Sequence, residues 1–264
     1  MKHKSLAVLL IVGMAVAMCG CQSMSGASPE ATITGPSTVN KLSYQCHHVS
    51  TRAIKIDGKL DEKAWKKAQV LTGFMTSGPT PVPASWETEA QLLWSDTDLI
   101  VAFRCKNDAI RPAGRNRDDP VYDGDATELF LSPLGGNNPY FEIDCGPTNL
   151  IFDGRFLSWR HDDLVRNTTE WAKAFNPPIR SAVSVETDAD SKVTGWTIEY
   201  ALPFSAMTND AVSQPKVGSS WLFNVCRAAK LSKYQPVEYS TWSPTFSDFH
   251  HPYKLPRLVF AGSK

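Results

Sequence analysis

Residues 122 to 133, YDGDATELFLSP, and residues 140 to 154, YFEIDCGPTNLIFDG, decide the fold. Side chains alternate faces along a strand, so Leu129 and Leu131 turn to a core while Glu128 and Phe130 turn away from it. In the second run Phe141, Ile143 and Cys145 form one set and Tyr140, Glu142 and Asp144 the other. Two such runs in succession make a sheet with one apolar side and one side carrying acids and rings. A carboxylate beside an aromatic ring suits a sugar: the carboxylate accepts hydrogen bonds from paired hydroxyls and the ring covers the apolar face of a pyranose.

Within those stretches the apolar runs of strand length are 127 to 132 and 140 to 145, and working outward others fall at 53 to 57, 90 to 94, 98 to 105, 149 to 153, 181 to 187, 195 to 201, 220 to 227, 238 to 242 and 256 to 260, most of them separated by turn residues. Helical spacing is confined to DEKAWKKAQ, 61 to 69, with Asp61 as an N-cap and Ala64, Trp65 and Ala68 on one face, and to a single turn near Pro203 to Met207. Many strands with few short helices predict an all-β, jelly-roll-like antiparallel β-sandwich. Trp65, Trp94, Trp196, Trp221 and Trp242 lie in amphipathic patterns and are assigned to its core.

The start of the chain reads as an export signal. Lys2 and Lys4 precede an apolar run from Leu6 to Met18, shorter than the ~20 residues of a spanning helix. The run ends in MCGC, so residues 1 to 20 are expected to be removed and Cys21, after the small Gly20, to become a lipidated N-terminus. That predicts an outer-membrane lipoprotein facing the periplasm or the cell surface, held to the membrane through a lipid anchor only; plain secretion is the alternative. Residues 21 to 40 are rich in Ser, Thr, Gly and Pro and read as a flexible tether, leaving 41 to 264 as one domain. The whole chain carries 27 basic and 27 acidic residues, and losing two lysines with the signal leaves a net charge of minus two. Without a basic run, nothing in this charge calls for nucleic acid or an anionic surface. Cys46, Cys105, Cys145 and Cys226 are even in number, which in an exported chain fits either one or two disulfides or buried thiols. None has the spacing of a zinc site.

With IKIDGKLDEKAW (54 to 65), LLWSDTDLIVAFRCKND (92 to 108) and TWSPTFSDFHHPYKLPRLVF (241 to 260), these strands resemble a family 9 carbohydrate-binding module over almost the whole chain after the signal. The order of the pieces carries the resemblance: an early I-D-G with a Trp, a W-S-D strand, D-x-x-E-L-F, W-x-x-E, and a closing W-S-P with F-H-x-P. It implies the same sandwich and a sugar end held between two rings, here Tyr122 and Phe249, where the best-known member has tryptophans. It implies Glu128 as the sugar-binding glutamate, with Glu142 and Asp144 at polar contact positions, Glu142 standing in place of an arginine. Arg104, Asn224 and Arg227 are read as donors that restore what that exchange removes. His250 and His251 sit in a loop beside Phe249, where a neutral imidazole can bond a hydroxyl. The resemblance further implies a structural calcium ion, with Asp108 as a candidate ligand.

The reading is therefore a non-catalytic module that holds polysaccharide or oligosaccharide ends at the cell surface or in the periplasm, in the company of glycoside hydrolases. Three alternatives remain from the residues. Glu128 and Glu142 could be a glycosidase pair, which needs about 5 to 9 Å between carboxyl groups. His251 with a methionine could hold haem, although there is no C-x-x-C-H. A sandwich that only contacts other proteins is the third.

Overall fold

The computed structural model describes residues 42–135, 139–156, 174–209 and 211–264. The signal segment, Cys21 and the tether lie outside the described residues, as do Trp159 and Trp171. Twelve strands account for the architecture: β1 (Ser43–His48), β2 (Met75–Thr76), β3 (Thr88–Trp94), β4 (Asp98–Lys106), β5 (Ala126–Ser132), β6 (Tyr140–Cys145), β7 (Ile151–Phe156), β8 (Arg180–Thr187), β9 (Val193–Pro203), β10 (Ser220–Lys230), β11 (Val237–Thr241) and β12 (Arg257–Ala261). They hydrogen-bond in the order β7-β6-β5-β10-β12-β1-β3-β4-β9-β8, with β11 joining β10 and β2. Pairing is antiparallel throughout except at β1, which runs parallel to both β12 and β3.

This continuous path curls so that its two ends share one core. Leu129, Leu131, Phe141, Ile143, Phe223 and Val225 from the β5-β6-β10 layer bury against Leu92, Val101, Phe103, Trp196, Ile198 and Tyr200 from the β3-β4-β9 layer. The alternation expected for 122 to 154 is therefore met, with Leu129, Leu131, Phe141, Ile143 and Cys145 inside. Of the tryptophans assigned to the core, Trp94, Trp196 and Trp221 are in it, Trp242 packs partly against it, and Trp65 sits in a second cluster with Ile54, Leu93 and Ile100 on the outer face of β3 and β4.

Several expectations need correction. The run 53 to 57 is not a strand, because its backbone is committed elsewhere. The Asp57 and Gly58 amides donate to Glu199 Oε2 at 3.0 and 2.8 Å, and Trp65 Nε1 donates to Glu199 Oε1 at 2.8 Å. The I-D-G and W-x-x-E motifs are thus two halves of one buried clasp. The helix expected over 61 to 69 is a 3₁₀ turn, Lys63–Lys67, preceded by Glu62 rather than capped by Asp61. Four cysteines are buried free thiols, so the disulfide alternative gives way to the thiol one. Arg227 turns to the core side, where its guanidinium donates to Glu87 O, Thr88 Oγ1 and Lys106 O and ties the two layers together.

Candidate functional site

The outer face of the β5-β6-β7-β10 layer carries the site. In register, Glu128 pairs with Asp144, Phe130 with Glu142, Glu142 with Gly154, and Asp144 with Phe152. Strand parity therefore places Glu128, Glu142 and Asp144 side by side on one floor, with oxygens within 4.8 Å of one another. All three are buried. Rings rise around them. Tyr122 stands edge-on to Phe152 at 5.4 Å, Tyr140 stacks on Phe156 at 5.2 Å, and Tyr239 meets Phe249 edge-on at 5.9 Å. The result is a pocket of about 290 Å³ lined by Tyr122, Phe152, Phe156, Tyr239 and Phe249 over Glu128 and Glu142, with Ser77, Asp248 and His250 at its margin.

Local structure explains each wall. The 3₁₀ turn Val121–Asp123 presents Tyr122, and Val121 anchors it in a small apolar cluster. Gly124, which follows, lies so close to the returning loop that a Cβ there would stand 2.4 Å from Ala113 N. Gly154 works in the same way on β7: a Cβ would meet the Phe156 ring at 2.8 Å, so its absence lets that ring lie down beside the acids. The 243 to 250 loop is fastened by Asn224, whose Nδ2 donates to Thr241 Oγ1 and Ser243 O at 2.7 and 2.9 Å and whose Oδ1 accepts from Ser243 N at 3.2 Å. Tyr239 Oη donates to Tyr122 O at 3.2 Å and joins two walls.

Electrostatically the floor is acidic with little to offset it. Burial, then the neighbouring carboxylates, push the Glu128 and Asp144 carboxyls well above the usual range, and burial raises Glu142 as well. One oxygen of Glu128 is buried without a hydrogen-bond partner among the described residues, and the Asp144 and Glu142 carboxyls share a hydrogen bond. Burial holds His250 down to about 4, so its ring is neutral. Tyr140 Oη and His250 Nδ1 are 2.8 Å apart, and in the tautomer that accepts from Tyr140 the remaining N–H lies 4.0 Å from Glu142 Oε2. Tyr122 is pushed up to about 12 by burial and the same acids.

Of the expected site residues, Tyr122, Glu128, Glu142, Phe249 and His250 line one pocket, and Asp144 is packed against Glu128 and Glu142 without lining it. Asn224 is near but spent on the loop. Arg104 is on the other layer, paired with Glu186 at 3.3 Å and Glu89 at 3.6 Å. Asp108 lies outside this pocket, and its carboxylate accepts from Arg111 Nη1 at 2.8 Å. His251 lies 3.8 Å from Asp248, outside the pocket. Tyr239, Phe152 and Phe156 went unread. Phe152 sits in the run 149 to 153 and Tyr239 in the run 238 to 242, but only the register between strands brings them to the pocket.

A curled β-sandwich with a ring-walled, acid-floored pocket defines a small-ligand binding domain rather than an active site. The family model described as "Carbohydrate family 9 binding domain-like" matches residues 56–242, and the chain belongs to that family. Solved structures share the fold. A candidate carbohydrate-binding protein from Bacteroides uniformis ATCC 8492 is 15% identical with a TM-score of 0.61, covering 83% of this chain and 98% of that one. A family 9 carbohydrate-binding module from Caldicellulosiruptor kristjanssonii in complex with cellotriose is 15% identical with a TM-score of 0.56, covering 83% and 95%. The same organism's module in complex with glucose is 14% identical with a TM-score of 0.54, covering 82% and 96%. No curated protein matches by sequence.

Proposed function

We propose that the pocket holds the terminal residue of an oligosaccharide or polysaccharide without turnover. The observation that carries this is the joining of five rings and a carboxylate floor in one pocket of a family 9 member. Rings cover the apolar faces of a pyranose and the acids accept from its hydroxyls. A glycosidase places its two carboxyl groups on opposite sides of a bond, about 5 Å or more apart. Here the acids sit on one floor within 4.8 Å, as acceptors for one bound group. The signal segment and Cys21 favour a lipid-anchored setting at the outer membrane, where a held glycan end would be presented to glycoside hydrolases.

Titration calorimetry of the purified protein with gluco-, xylo-, manno- and galacto-oligosaccharides tests the reading. Saturable binding with no release of new reducing ends is expected. Silence across the panel would leave a scaffold whose pocket serves no sugar, and turnover would restore the glycosidase alternative.

A further inference from the structure

A sugar made only of hydroxyls leaves one property of this pocket unexplained. Hydroxyls can bond carboxylates, but they bring no charge, and three buried acids stand together with oxygens within 4.8 Å. No Lys or Arg is among the described lining residues, and the histidine there is neutral. Glu128 and Asp144 are 2% and 0% exposed, and while Asp144 shares a hydrogen bond with Glu142, one Glu128 oxygen has no hydrogen-bond partner among the described residues. Buried acceptors left open in this way are matched by a donor that arrives with the ligand.

We infer that the ligand carries a protonated amine, and that the pocket is specific for a glycan end bearing a free amino sugar. An ammonium group offers three N–H donors and one positive charge at a single point. Glu128 and Glu142 supply acceptors at such a point with Asp144 against them, and the rings of Tyr122, Tyr239 and Phe249 lining the same pocket can add the attraction of aromatic quadrupoles for a cation. The volume of about 290 Å³ accommodates one hexose ring with its amine on the floor. A calcium ion is the competing occupant. It takes six to eight oxygens, and the walls of this pocket are rings. The inference rests on the carbohydrate-binding reading and names its substrate class.

The test compares three chemically matched ligands on the full-length protein: a β-1,4-linked glucosamine trimer, its fully N-acetylated form and cellotriose. Each is titrated at about pH 5.5, about two units below an ordinary α-amino value so that an amine lowered by neighbouring sugar oxygens is still charged, with chelator and again with added calcium. The expected result is that the free amine binds at least tenfold more tightly than either neutral trimer, with no effect of calcium. Asp144→Asn and Glu128→Gln should each narrow that ratio, because the free amine loses more affinity than the neutral trimers, which lose only an acceptor for a hydroxyl. Equal binding of all three trimers would overturn the amine assignment and leave the sugar-binding reading standing. Cellotriose binding that requires calcium would overturn it in favour of a metal-bridged site. Absence of binding by every trimer and by the wider oligosaccharide panel would overturn both readings. The wild-type comparison decides the matter even if a variant fails to fold.

Discussion

Glu142 occupies a position where the family resemblance implies an arginine, and that exchange sets the chemistry of the floor. It gives Glu128 and Asp144 a third acid for company and raises the cost of ionising any of them. An acid whose pKa is higher in the folded state contributes stability in full below its unfolded pKa and loses it as pH rises through the folded value. His250 works in the opposite sense, since its folded value of about 4 lies below 6.5, so it adds stability with rising pH only between those two points. From pH 6.5 upward the acids prevail, joined by Asp153, which burial raises to about 7 beside Arg117. The melting temperature of the unliganded protein is therefore expected to fall between about pH 6.5 and 8, with a shallower fall in Glu142→Gln, as scanning calorimetry would show. A flat profile would mean that the floor is solvated or already neutralised. At the opposite wall, Tyr122→Ala removes a half-buried ring and should weaken oligosaccharide binding by about tenfold with little change in melting temperature.

At the level of elements, two features decide whether the site forms. Glu199 holds the 54 to 65 segment through two backbone amides and an indole, and Glu199→Ala strands all three donors. A loss of about 3 kcal/mol in urea unfolding is expected, with ligand affinity preserved because the clasp lies on β9, in the other layer. Gly124→Ala drives a methyl into the Ala113 backbone and should cost about 2 kcal/mol while also reducing affinity, since the displaced turn carries Tyr122. Equal affinity in that variant would separate Tyr122 from its loop. Elements with clean alternation were legible: the expected 140 to 145 is β6 to the residue, and 127 to 132 differs from β5 by one position. β1 was passed over because SYQCHH has no β-branched side chain and alternates only through Tyr44 and Cys46. The run AIKID looked like a strand by composition, but amide donation to Glu199 replaced a ladder. Arg104 is expected as a donor at the site but lies on the other layer, because parity assigns a side within a strand and only register and sheet order say which layer that side belongs to.

Across the whole molecule, the core is held without covalent ties. Cys46, Cys105 and Cys145 lie in the main core and Cys226 on the opposite face of β10 with Phe130 and Phe249. Reducing agent is therefore expected to leave the melting temperature unchanged, and the thiols of Cys46, Cys105, Cys145 and Cys226 should all react with a thiol reagent in denaturant; a lowered melting temperature would reveal a disulfide. What the sequence showed of the whole was its class and the sidedness of each run. What it concealed was the central placement of β1, since long-range parallel pairing has no local signature. That placement bears on mechanics. Register joins Ser43 to Arg257 and His47 to Ala261, so force applied through the chain ahead of Ser43 draws β1 lengthwise past β12 and β3. Rungs loaded in shear share the strain together, whereas rungs that are peeled fail in succession. A strand seated in the middle of the sheet therefore resists extraction by a pull on the residues that precede it.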